Sequence, residues 1–147
     1  MGQLVVPGAL YSVGAGCYAK SATALTASTW NNIPSSALDW NCNWPVRTFG
    51  TSGTSSGIKV PSGYSFRSIT VNCYASIVTQ SAVGLGIMVL KNNANQGFSG
   101  GAPGGFQTFS QAVTVSSNDI ISIAIWVNDT GDATVAGQLQ TGFYFTT

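Results

Sequence analysis

Gln111-Ala112-Val113-Thr114-Val115-Ser116-Ser117-Asn118-Asp119-Ile120-Ile121-Ser122-Ile123-Ala124-Ile125-Trp126-Val127 is the stretch on which the fold class turns. Ile121, Ile123, Ile125 and Val127 fall on one side of an extended chain, and Ser122, Ala124 and Trp126 fall on the other. This is the period of two of a strand with one buried side; a helix would scatter the same residues. Val113 to Val115 is a second alternating run, and the polar tetrad Ser116-Ser117-Asn118-Asp119 between the two reads as the turn of a β-hairpin.

Working outward, the alternation recurs. Tyr64 to Thr79 places Ile69, Val71, Cys73, Ala75 and Ile77 on one face of a long central strand. Val83, Leu85, Ile87 and Val89 repeat it and end at Asn92-Asn93-Ala94-Asn95, after which Gly97 to Gly105 reads as a Gly-rich loop. Phe106 to Val115 opens the next strand. Asn128-Asp129-Thr130-Gly131-Asp132 turns the chain into a strand from Ala133 to Phe145, with Leu139, Thr141, Phe143 and Phe145 on one face. Upstream, Ser28 to Pro34 and Ala37 to Asn41 are short pieces broken by Pro and Asn, as expected of edge strands. The tract Gly50 to Gly57 reads as a loop feeding Ile58-Lys59-Val60. Regularly spaced strands with turn signals between them predict an all-β, eight- to ten-stranded antiparallel sandwich or jelly roll.

Composition agrees and limits function. A chain of 147 residues fits one domain that buries roughly two-thirds of its unfolded surface. Charged residues make up 6% of it, against about 25% in an ordinary soluble domain. With a formal net charge of +1 and its cations scattered singly, it offers no basic stripe for nucleic acid. A neutral surface gives weak protection against association, which suits a subunit of an assembly. The first ten residues are apolar but lack a basic flank, and Pro7 interrupts any helical core, so they do not read as a signal peptide. No apolar run approaches the roughly twenty residues that span a membrane as a helix.

Cys17, Cys42 and Cys73 are odd in number and show no CxxC or zinc spacing. Cys73 is in phase with core positions and reads as a small buried hydrophobe; a bridge between Cys17 and Cys42 stays open. There is no His and no Glu, so acid–base catalysis would fall to Asp39, Asp119, Asp129 and Asp132, and no GxSxG motif is present. The expectation is a non-enzymatic protein without a cofactor. Asp129 and Asp132 in one tight loop are the candidate calcium ligands, short of the six to eight oxygens that ion takes. Phe98 and Phe106, at the edges of the Gly97 to Gly105 loop, are candidates for stacking on a sugar.

Several pieces, in order, resemble the C1q/TNF-like jelly-roll family. They are Ser28-Thr29-Trp30-Asn31-Asn32-Ile33-Pro34 with Leu38-Asp39-Trp40-Asn41; Gly57-Ile58-Lys59-Val60-Pro61-Ser62-Gly63-Tyr64; Met88-Val89-Leu90-Lys91-Asn92; Val113-Thr114-Val115 leading through Asp119 to Ile121; and Gly142-Phe143-Tyr144-Phe145. The resemblance covers residues 17–147, and its motifs are individually loose but ordered. It implies a compact homotrimer with aromatic and apolar side chains around the threefold axis. The candidates, out of phase with the core positions, are Tyr74, Met88, Leu90, Trp126 and Tyr144, each expected to be an exposed large apolar group on a single chain.

Residues 1–16 form an apolar, Gly-punctuated arm too short for a domain, with Leu4, Val5, Val6, Leu10 and Tyr11 as its docking side chains. The chain is similar to small stand-alone bacteriophage virion proteins of that fold. The functional expectation is therefore a trimeric capsid decoration or cement protein, located in the virion and docking on the major capsid protein or another virion protein. The alternative is the receptor-binding head of a tail fibre or spike that recognises cell-surface carbohydrate.

Overall fold

The computed structural model describes residues 16–34, 40–43, 57–60, 62, 67–77, 84–101, 105–128, 133–135 and 141–146; for 40–43, 67 and 133–135 it describes the backbone alone. Its strands are β1 (Gly16–Ala19), β2 (Thr23–Leu25), β3 (Trp30–Ile33), β4 (Trp40–Asn43), β5 (Ile58–Lys59), β6 (Arg67–Ser76), β7 (Leu85–Lys91), β8 (Ala94–Phe98), β9 (Phe106–Val115), β10 (Ile120–Val127), β11 (Ala133–Val135) and β12 (Gly142–Thr146). The first sheet runs β4-β1-β12-β6-β9. The second runs β3-β10-β7-β8, with β5 also paired to β10, and β2 and β11 form a separate two-stranded ribbon. The registers of all these pairs are antiparallel. The protein is an all-β sandwich of two five-stranded sheets.

The segment read as a hairpin is instead a crossing between sheets. β9 pairs with β6 from Arg67↔Val115 to Ser76↔Phe106, whereas β10 pairs with β7, β3 and β5. Val113 and Val115 face Ile121, Ile123, Ile125 and Val127 through the core, all nearly inaccessible to solvent. Packed sheets lie about 10 Å apart and paired strands about 4.8 Å, so Ser116 to Asp119 spans the thickness of the sandwich. Its polar groups are held accordingly. Asn118 takes a left-handed φ of 71°, and the Asp119 carboxylate accepts the Ser116 N–H at 2.9 Å. The turn also pairs with β5's end, through Val60 N–H to the Asp119 carbonyl at 2.7 Å and Asn118 N–H to the Val60 carbonyl at 3.0 Å. Alternation is the same in a hairpin and in an arch, so the period of two could not separate them.

β10 is also covered on both sides. Ser122 and Ala124, expected on an open face, are 3% and 1% exposed, because both are small and are shaded by their neighbours: Gly57 abuts the Ser122 Cβ, and Ala124 sits between Asn32 and Met88.

The core takes Cys17 and Ala19 from β1, Ile69, Val71, Cys73 and Ala75 from β6, and Phe143 and Phe145 from β12. Across from them lie Ile33, Ile58, Leu85, Ile87 and Val89 and the inward side of β10. The rings of Phe143 and Phe145 sit 6.1 Å apart. Cys73 is a free, buried thiol, and burial pushes its pKa up to about 12. Cys17 is disulfide-bonded, and the β1–β4 register sets it directly opposite Cys42. The odd cysteine count thus divides into a bridged Cys17 and a lone core thiol.

Two further readings change. The strand expected from Ala133 to Phe145 is two: β11 joins the ribbon with β2, and β12 lies in the first sheet between β1 and β6. The segment after Lys91 is no loop but β8, returned along β7 by a two-residue turn in which Asn92 and Asn93 adopt φ of 51° and 65°. Positive φ at both central residues is the mark of a type I′ hairpin, and Asn tolerates it better than most residues. The β8 sequence Ala-Asn-Gln-Gly-Phe carries almost no apolar alternation, and so left no strand signal.

Candidate functional site

The outward face of the first sheet is built by pairing. In one row Tyr18 on β1 lies opposite Gly142 on β12, which lies opposite Tyr74 on β6; in the next, Gly16, Tyr144, Asn72 and Ser110 are aligned across four strands. Gly142 is bare for a reason. A Cβ there would strike the Cys17 carbonyl and sit 3.0 Å from the Tyr74 hydroxyl oxygen, so the missing side chain lets that hydroxyl lie over β12.

The Tyr74 and Tyr144 rings are 6.3 Å apart and tilted by 52°. Tyr144 is 46% exposed, while Tyr74 is half-buried. Burial raises the Tyr74 pKa above its ordinary value, and the neighbouring Tyr144 raises it further. Beside them, Asn72 Nδ2 donates to Thr146 Oγ1 at 3.0 Å and Asn72 Oδ1 accepts the Ser110 hydroxyl at 2.8 Å. Phe106, 57% exposed, shares this face at the start of β9. The described strand residues of this face are aromatic and uncharged, and the Asn72 amide is paired with the Ser110 and Thr146 hydroxyls.

The outward face of the second sheet is a separate surface. Trp30, Trp126 and Gly86 form one row across β3, β10 and β7, and Asn32, Ala124, Met88 and Phe98 form the next. A Cβ on Gly86 would lie 3.4 Å from the Cη2 of Trp30, so that indole reaches across β10 toward β7. A Cβ on Gly101 would lie 3.1 Å from the Cζ3 of Trp126. Phe98 meets Trp30 edge to face, with centroids 6.3 Å apart and planes at 73°.

Of the five residues expected around an axis, the structure brings together Tyr74 and Tyr144. Met88, Leu90 and Trp126 belong to the other sheet, on the far side of the sandwich. Leu90 is only 5% exposed, not the exposed apolar group expected. Phe98 and Phe106 also part company, one on each outward face. Trp30 went unremarked as a site residue. Its signal was present in Ser28 to Pro34, but its partnership with Trp126 depends on the β3–β10 register, which no local pattern discloses.

Asp119 serves the turn. Partial burial would raise its carboxyl, but the Asn92 amide, the Ser116 N–H and the charge of Lys91 outweigh this and hold it below the usual range. Its Oδ1 accepts Asn92 Nδ2 at 2.8 Å. The candidate calcium ligands Asp129 and Asp132, as well as Asp39, lie outside the described residues, as do Leu4, Val5, Val6, Leu10 and Tyr11 of the arm. Gly16, placed at the arm's end by the sequence, is the first residue of β1. No protein-family model and no curated protein matches the chain.

Proposed function

We propose that the protein is a trimeric virion component, a decoration or cement subunit of a bacteriophage capsid, and that three copies meet through the tyrosine face of the first sheet. The observation behind this is the exposed Tyr144 packed on the half-buried Tyr74, within a face whose polar neighbours Asn72, Ser110 and Thr146 already satisfy one another. Those three paired groups lose few water hydrogen bonds when covered, and the described strand residues of the face hold no charge to desolvate.

The jelly-roll reading draws support from the strand order. β6 to β7 and β9 to β10 each change sheets, and β12 returns to lie beside β1. The scarcity of charge, 6% of residues, suits a subunit that buries much of its surface in an assembly. The attribution to a bacteriophage rests on the resemblance to small virion proteins of this fold.

In this reading the segment before β1 docks on the particle. Deleting residues 2–15, which leaves β1 whole, abolishes co-sedimentation with capsids while the oligomer keeps three times the mass of the shortened chain. Retained particle binding by the deletion variant would defeat the docking role. A receptor-binding head is the second reading, favoured by the exposed Trp30–Phe98 pair.

A further inference from the structure

We infer that the outward face of the second sheet carries a binding site for a neutral saccharide of pyranoses with equatorial hydroxyls, framed by the near-perpendicular rings of Trp30 and Phe98. The inference deepens the receptor-head reading and rests on it; a coat subunit with its tyrosine face covered would still present this site.

Four observations carry it. Among the described residues, Trp30 and Phe98 are two of the few large apolar side chains left exposed, at 37% and 58%, and they meet at 73°. The two ring planes are thus close to perpendicular, and the Trp30 indole reaches over Gly86, so the pair frames an exposed corner. Trp30 is propped by the gap above Gly86, and Trp126 beneath it is backed by Gly101, so the corner stands on paired strands. The faces of aromatic rings are electron-rich and attract polarised C–H groups. A pyranose with equatorial hydroxyls offers such C–H groups in a patch on one ring face, with its hydroxyls around the rim.

The second observation is the rim. Asn32 is exposed in the row next to Trp30 and, among the described residues, its amide has no hydrogen-bond partner. It offers both a donor and an acceptor to a sugar hydroxyl. Gln96, the unpaired residue of the bulge between Asn95 and Gly97 and two residues before Phe98, directs its amide nitrogen to the Ala94 and Asn95 carbonyls, which leaves its Oε1 to accept.

The third is charge. The described cations on this sheet, Lys59 and Lys91, pair with Ile120 and Ile121, roughly 20 Å and roughly 17 Å along β10 from Trp126, and Lys91 is roughly 10 Å along β7 from Met88, the partner of Phe98. The Lys91 ammonium is further engaged by the Thr114 carbonyl at 3.0 Å. Nothing described at the corner selects an acidic sugar or a phosphate.

The fourth is size. With roughly 200 Å² per aromatic side chain, the exposed fractions of Trp30 and Phe98 amount to about 200 Å². A stable protein partner covers about 800 Å² on each side, so the corner suits one or two sugar rings better than a second chain.

The test uses the whole protein with cellohexaose, laminarihexaose and N-acetylchitohexaose, read by isothermal calorimetry and tryptophan fluorescence at low and high salt. The expected result is saturable binding of at least one of the three, insensitive to salt and weakened at least about tenfold in Phe98→Ala and in Trp30→Ala. Melting curves establish that both variants fold, and Asn32→Ala, which removes only an exposed amide, gives a smaller loss in the same direction. Sugar binding unchanged in Trp30→Ala and Phe98→Ala would overturn the site and leave a carbohydrate-recognising head standing elsewhere. Absence of binding by the unaltered protein to all three would overturn the saccharide assignment. A fall in oligomer mass on Trp30→Ala, without sugar binding, would instead assign the corner to contact between copies and overturn it too.

Discussion

Tyr144→Asp separates assembly from folding. Within one chain Tyr144 is 46% exposed, and the aromatic contact it makes is with Tyr74. Losing that ring contact costs about 1 kcal/mol, small beside the roughly 5–15 kcal/mol by which a domain of this size is stable. In the proposed trimer the balance differs. A tyrosine side chain presents roughly 200 Å², so about 90 Å² remains to be covered when copies meet. At about 25 cal/mol per Å² this contributes about 2 kcal/mol per copy and about 7 kcal/mol for three.

Aspartate forfeits that burial and brings a carboxylate onto a face whose described residues offer it no cation. A buried, unpaired charge adds several kcal/mol more per copy. The expected outcome is a folded monomer at concentrations where the proposed trimer forms from the unaltered protein. Light scattering coupled to size exclusion reads the mass, and circular-dichroism melting reads the fold. Tyr144→Ala gives an intermediate shift. A Tyr144→Asp protein that melts normally and keeps the full trimer mass would refute the placement of the axis on this face.

Other expectations are simpler. Cys73, with its pKa pushed up to about 12 by burial, stays unreactive toward a thiol reagent at pH 8 in the folded protein. Denaturation without reductant exposes one thiol per chain, because Cys17 is bridged, and prior reduction exposes three; a fast-reacting native thiol would contradict the packing of β6. Asp119 is held ionised in the folded state, so its contribution is present above the ordinary carboxylate pKa and is lost as pH falls through its lowered value. Asp119→Asn thus lowers the melting temperature at neutral pH and narrows the drop between pH 5 and pH 2, whereas an unchanged neutral melting temperature would remove the turn from the stabilising features. The Tyr74 hydroxyl has the opposite sign. Its pKa is raised, so its contribution is intact below pH 10 and lost as pH rises through the folded value; absorbance titration of the phenolates shows a late-titrating group that Tyr74→Phe abolishes.

Much of the sandwich was legible because burial writes itself into alternation. Ile69, Val71, Cys73 and Ala75, and Leu85, Ile87 and Val89, are in the core where the period of two placed them. What alternation cannot encode is the partner. A strand ending in a polar turn looks the same whether the next strand lies beside it or across the core, and this is why the pattern of β9 and β10 reads as a hairpin although the two lie in different sheets. β8 was invisible because an exposed edge strand has no core side to mark. The surfaces were legible only in part for the same reason. The sequence put Tyr74 and Tyr144 out of phase with the core, but only the β6–β12 register sets them side by side. That same register-level information moves Met88 and Trp126 to the opposite face and joins Trp30 to Phe98.

Quantitative mass spectrometry of purified particles, comparing copies of this chain with copies of the major capsid protein, tests the proposed role at its root. A decoration or cement subunit is present in numbers of the same order as the capsid protein, and dissociates as trimers. A few trimers per particle would contradict that role and leave the protein as the tip of a fibre or spike.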